Sequence, residues 1–225
     1  MASGTLIDII GGFLLAFKAV LVEGSEVAIL SLATVKQLGK RNVLLGITVG
    51  GFGSVVTFLV VRQVFVALTD EVTNLVTGAV ILYFSYRFLR GFIKYRFRGK
   101  SFRTKMEGWA RDVVQKDLEH SQGQTTATGE VPFTLSNSFP VLTITLTEGF
   151  EASLVLAAAG AFNYEWTLVG AVVSLLLLIV VCAVSYDYLM RIPRWGLDLL
   201  AGLVLLTFGS IFFATGVLIV LGIIS

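Results

Sequence analysis

Apolar residues run along this chain in six blocks, each long enough to cross a bilayer, and polar residues collect between them. The blocks are roughly Leu6–Val35, Val43–Leu68, Val72–Tyr95, Val131–Phe162, Trp166–Met190 and Trp195–Ile224. About 20 predominantly apolar residues in a helix span the ~30 Å hydrocarbon core. Lipid offers backbone groups no hydrogen-bond partner, so such blocks cross as helices. The pattern predicts an all-α polytopic membrane protein of six transmembrane helices. One long polar stretch, residues 96–130, separates three spans in 1–95 from three more in 131–225.

Composition agrees: 56% of the residues are hydrophobic, 14% are charged, and mean hydropathy is +0.86. A soluble domain carries roughly a quarter charged residues. The first block lacks a basic leader and continues directly into an acidic motif, so it is expected to be a mature span rather than a cleaved signal. Cys182 and His120 are each alone, which excludes an internal disulfide and any Cys/His metal cluster. With no paired Cys, His pair or Ser/His constellation, enzyme chemistry is not expected, and a metal site would need oxygen ligands.

Basic residues fix the expected direction. Lys36, Lys40 and Arg41 follow the first span, ten basic residues from Arg87 to Lys116 surround the third span's exit, and Arg191 and Arg194 follow the fifth. The alternate connections carry Asp70, Glu71 and Glu165. Of 17 basic residues, 15 fall on one side, with Lys18 and Arg62 the exceptions. Lys and Arg are retained on the cytoplasmic side, so a multi-pass cell-membrane protein with both termini outside the cytoplasm is expected. In the long loop, Phe102, Met106, Trp109 and Val113 recur at helical spacing among basic residues, as in an amphipathic helix on an anionic leaflet. Ser121–Glu130 has the composition of a flexible linker.

Two of the blocks carry matched acidic motifs. Leu21–Ala33 reads LVEGSEVAILSLA and Leu146–Ala158 reads LTEGFEASLVLAA, 125 positions later. A carboxylate at a membrane helix centre costs about 2.5–3.5 kcal/mol on insertion scales, so it persists where it faces a partner or an aqueous path. Positions three apart share a helix face, which pairs Glu23 with Glu26 and Glu148 with Glu151. Gly24 and Gly149 let another helix approach closely, or permit local unwinding that exposes carbonyl ligands. Four converging carboxylates supply hard oxygen ligands for Ca²⁺, Mn²⁺ or iron. Without a cation they cannot all stay ionised, so the unloaded site is expected to take up protons. Ser25 and Thr147, with Thr143, Thr145 and Ser153, are secondary candidates for hydrogen bonds to a carboxylate. Lys18, five positions before Glu23, is a candidate ion-pair partner. Asp8, Arg62, Asp187 and Asp198 lie nearer span ends and read as rim residues. The bland alternative makes each Glu structural glue between helices.

A second likeness extends the duplication. Leu75–Leu89 (LVTGAVILYFSYRFL) parallels Leu199–Phe213 (LLAGLVLLTFGSIFF) at an offset of 124. Spans one to three thus recur as spans four to six, and because three is odd the second copy crosses in the opposite sense. Two inverted three-helix repeats with a polar site near the midplane are the mark of secondary transporters.

The motif, with EGSEVAIL followed by KQLGKR at Lys36–Arg41 and GITVG at Gly46–Gly50, resembles the high-affinity iron permeases, or oxidase-dependent iron transporters. That family carries Glu-Gly-x-Glu in its first and fourth spans. Where its motif begins with Arg, this chain has Val22 and Thr147. The resemblance covers about half the chain and implies iron transport with Glu23, Glu26, Glu148 and Glu151 as ligands. It also admits a partner oxidase or a homo-oligomer. The alternative is a Ca²⁺/Mn²⁺–proton exchanger, a group that shares six core spans in inverted repeats. Beyond the transported metal no cofactor is expected. The expected partners are the metal ion, protons and the lipid bilayer, with no nucleic acid.

Overall fold

The computed structural model describes residues 6–97, 132–184 and 194–223, where the regular structure is entirely helical. In chain order the helices are α1 (Leu6–Leu38), α2 (Lys40–Val66), α3 (Asp70–Phe97), α4 (Leu135–Gly160), α5 (Tyr164–Val184) and α6 (Arg194–Val220). The basic amphipathic stretch, the linker and Asp187 lie outside the described residues.

Five helices, α2 to α6, are long and apolar enough to cross a membrane. The first differs in kind. At 33 residues α1 is the longest, about 50 Å at 1.5 Å per residue. Its interior holds Lys18, Glu23 and Glu26, with Asp8 and Lys36 in its end turns. Charge, not length, sets it apart.

Local chemistry explains the breaks. Gly39 alone joins α1 to α2, with φ 79°, a backbone conformation that side chains resist. The hydropathy edge at Val131 precedes the start of α4, because Thr134 is extended and its hydroxyl accepts a hydrogen bond from Asn137 N at 3.2 Å. Buried Asn42 ties the two halves together at that level. Its Nδ2 donates to Leu38 O at 2.7 Å and Pro132 O at 2.9 Å, while Thr134 N donates to its Oδ1 at 3.0 Å.

The helices pair across the halves. α3 packs on α6, α2 on α4, α1 on α5, and α1 on α4. Close approaches fix the directions. Along α2 and α4, Gly46 meets Val141, Gly50 meets Thr145 and Gly53 meets Leu146, so the two run parallel. α1 and α5 also run parallel, with Gly12 at Thr167 and Gly24 at Leu178. By contrast, Gly216 at Leu75, Gly209 at Leu82 and Gly202 at Leu89 make α3 and α6 antiparallel. α1 is antiparallel to α4, because Gly12 approaches Asn163, just past the end of α4, and Asn42, just past the end of α1, bonds Pro132 ahead of α4.

The core lies between these pairs and includes Leu15, Ala19, Val22, Phe84, Phe88, Val155 and Leu205. Outward-facing positions remain apolar. Phe52, Leu59, Leu176 and Ile179 are exposed, as the lipid-facing side of a membrane protein requires.

Candidate metal site

α1 and α4 cross at their acidic motifs. Glu23, Glu26 and Glu148 are buried, and each offers a carboxylate oxygen within 4.8 Å of the others. Glu23 of α1 and Glu148 of α4 thus bring two carboxylates together across the crossing. Buried carboxylates this close repel one another, and a bound cation relieves that repulsion. Hard cations of calcium size take oxygen ligands at about 2.3–2.6 Å, so one ion can bridge three oxygens spaced this way.

Glu151, although buried, belongs elsewhere. Its carboxylate forms an ion pair with the Arg87 guanidinium of α3. Arg87 itself is half-exposed at the edge of the cluster. Lys18, also on α1, stands 3.7 Å from Glu23 Oε1. Its ammonium lies 3.3 Å from the centroid of the Phe88 ring, within cation–π range, and makes no hydrogen bond. This lysine, only 7% exposed, is held between the Glu23 carboxylate and the Phe88 ring, with Asp198 and Glu151 the other charges that act on it.

Both glycines permit close approach. A Cβ on Gly24 would stand 2.7 Å from the Leu178 side chain, and one on Gly149 would overlap Ser54 of α2. Neither unwinds its helix, since α1 and α4 run unbroken through the motifs and satisfy their own carbonyls. The expected backbone ligands are therefore withdrawn.

The hydroxyl candidates turn to carbonyls instead. Ser25 Oγ donates to Val22 O at 2.7 Å. Thr145 Oγ1 donates to Val141 O at 2.7 Å, and Ser153 Oγ to Gly149 O at 2.6 Å and Ser54 O at 2.9 Å. Thr147 is exposed, donates to Thr143 O at 2.9 Å, and does not join the cluster. Among the expected rim residues, Arg62 lies 4.2 Å over the Tyr164 ring. Asp198 is instead deeply buried, at 2% exposure, beside Gly91.

Arg87 is the site residue that sequence reasoning missed, counting it only among the ten basic residues around the third span's exit. The signal was present: Arg87 falls inside the third apolar block, and an arginine there asks for a partner just as a buried glutamate does.

No family model, curated protein or solved structure matches this chain. Its function has to be argued from the site.

Proposed function

We propose that this chain is a membrane transporter of a multivalent metal cation, iron being favoured by the motif, and not an enzyme. Glu23, Glu26 and Glu148 are the ligands, and Glu151 is a neighbouring carboxylate held by Arg87. One observation carries the reading: three buried carboxylates from two helices lie within 4.8 Å of one another. Structural glue would leave them facing hydroxyls, yet Ser25, Thr145 and Ser153 bond carbonyls.

Two inverted three-helix repeats are part of the proposal. Helix contacts recur in matched pairs when positions are advanced by 124 or 125. Gly24 at Leu178 has its counterpart in Gly149 at Ser54, and Gly46 at Ser138 O in Gly170 at Phe13 O. Gly78 at Phe213 corresponds likewise to Gly202 at Leu89. The antiparallel course of α1 and α4 is the arrangement that inversion demands. On this reading six spans cross the cell membrane, the basic connections face the cytoplasm, and the motifs sit near the midplane. Alternating access then rocks one repeat against the other around a fixed site.

Proton exchange against Ca²⁺ or Mn²⁺ is the second reading, favoured by the closeness of Glu23 to Glu148. Carboxyl ligands bind a cation deprotonated, so loading the site would release whatever protons the empty cluster holds. Proteoliposomes loaded separately with Fe²⁺, Mn²⁺ and Ca²⁺ at two pH values test both. Uptake above protein-free vesicles is expected for at least one ion. Equal leakage for all three overturns the transporter, and uptake that moves no protons overturns the exchanger alone.

A further inference from the structure

We infer that the last turn of α1 is a gate, that Asn42 is its latch and that Gly39 is its hinge. This rests on the chain being a transporter, and it names the element that opens at one end. On the proposed topology that end faces the cytoplasm.

The latch is a buried amide anchored on one side and gripping on the other. Asn42 is 1% exposed. It is fixed to the segment ahead of α4, because its Nδ2 donates to Pro132 O at 2.9 Å and its Oδ1 accepts from Thr134 N at 3.0 Å. Below it α2 and α4 run side by side along their close glycine seam, so Asn42 belongs to that pair. Its second amide hydrogen goes to Leu38 O at 2.7 Å, at the end of α1. The last carbonyls of a helix have no partner within it, and this one is held by the side chain.

Beneath the latch the end of α1 is closed by apolar packing alone. Leu38 and Val35 of α1 meet Val43 and Ile47 of α2 and Val141 of α4. Leu38 lies twelve residues beyond Glu26, about 18 Å along the helix at 1.5 Å per residue. Between Leu38 and α2 stands only Gly39, whose φ of 79° suits a glycine and leaves a short pivot.

The opposite end has the equivalent residue without the grip. Thr167 stands 125 positions after Asn42, at the start of α5. It is fully buried near Gly12 of α1, yet its Oγ1 has no hydrogen-bond partner. The duplicated frame therefore needs no side-chain tie at this position, and the Asn42 clasp is an addition at one end.

Two measurements on the full-length protein, both in the Cys182→Ser background, test the gate and the latch. Leu38→Cys with Val141→Cys, joined by a short bifunctional methanethiosulfonate, fixes the end of α1 to α4 with Asn42 intact. Proteoliposomes of this variant should stop taking up whichever of Mn²⁺, Fe²⁺ or Ca²⁺ the unlinked variant carries, and reductant should restore uptake. A purely structural contact would tolerate the link, so uptake unchanged by cross-linking overturns the gate and leaves the transporter standing. Uptake of none of the three ions by wild-type protein overturns the transporter itself. In detergent, Thr34→Cys, buried on the last turns of α1, reports opening through its reaction with a cationic methanethiosulfonate. Asn42→Ala should speed that reaction about fivefold, the scale of one lost hydrogen bond, and leave Ala159→Cys, the equivalent position at the other end, no faster. An unchanged rate at Thr34→Cys, or an equal rise at both cysteines, overturns the latch. If Asn42→Ala does not fold, Asn42→Ser, too short to reach Leu38 O and Pro132 O together, is read in the same way.

Discussion

The two Glu-Gly-x-Glu motifs share a sequence pattern and a helical backbone, but their second glutamates have different fates. In α1 both glutamates join the cluster, whereas in α4 only Glu148 does and Glu151 turns to Arg87. The flanking positions diverge too: Val22 is 4% exposed in the core, while its counterpart Thr147 is exposed. Neighbours make the difference. Lys18 and Arg87 both come from the first three helices, and the positions equivalent to them in the second three are Thr143 and Ile211. A duplicated motif therefore gives two similar frames, and unduplicated cations assign each frame its role.

The largest expected effect breaks the comparison at the ligands. Gln in place of Glu23, Glu26 or Glu148 keeps the shape but removes a charge from a buried cluster. Removing one partner of such a set costs about 3–5 kcal/mol, or roughly two to four powers of ten in affinity at about 1.4 kcal/mol per tenfold. Glu151→Gln should cost clearly less, because its carboxylate already has a partner. Calorimetric Mn²⁺ affinities for the four variants rank them directly. If Glu151→Gln is as damaging as Glu148→Gln, the two copies are equivalent and the asymmetry is wrong.

A smaller effect is expected at the glycines. Replacing Gly by Ala in a helix gains about 1 kcal/mol in propensity, and the sign of the net change depends on what the new methyl meets. At Gly24 it meets a terminal methyl of Leu178, which can rotate aside. At Gly149 it overlaps the hydroxyl of Ser54 and stands 2.5 Å from the Ser54 Cβ, so α2 itself has to move. Overpacking of that kind costs about 1–3 kcal/mol. Thermal unfolding in detergent should show Gly149→Ala melting below wild type and Gly24→Ala close to it. The reverse order would mean that α1 on α5, not α2 on α4, is the tighter seam.

Much of this could be read from the chain. Hydropathy located the six described helices, five of them long and apolar enough to cross a membrane, because lipid imposes both length and apolarity on a span. The same rule explains the edges that moved. Val131 looked like part of a span, but Thr134 offers a better cap than continued helix. The acidic residues were legible through their cost, and Lys18 was too, as an isolated charge five residues from a glutamate. Arg87 was not. Beside nine further basic residues leading into the loop, it reads as topology rather than chemistry. Only the packing of α3 near α4 separates it from Arg90 and Lys94. Hydroxyls were over-read for a related reason: in a membrane helix a Ser or Thr always has its own carbonyl four residues back.

The smallest expected effect tests where the site ends. Thr147 precedes Glu148 as Val22 precedes Glu23, and valine differs from threonine mainly by exchanging the hydroxyl for a methyl. Thr147 Oγ1 is exposed and donates to Thr143 O at 2.9 Å, a bond within one helix that neither supports a neighbour nor reaches a carboxylate. Thr147→Val should therefore change stability by no more than about 0.5 kcal/mol, as surface substitutions do, and leave Mn²⁺ affinity at the wild-type value. It also makes the two motifs alike at that position, Val-Glu-Gly in both. Calorimetry on Thr147→Val beside Glu148→Gln separates a neighbour in sequence from a ligand in space. A fall in affinity approaching that of Glu148→Gln would place the hydroxyl inside the site and move the boundary between the two copies.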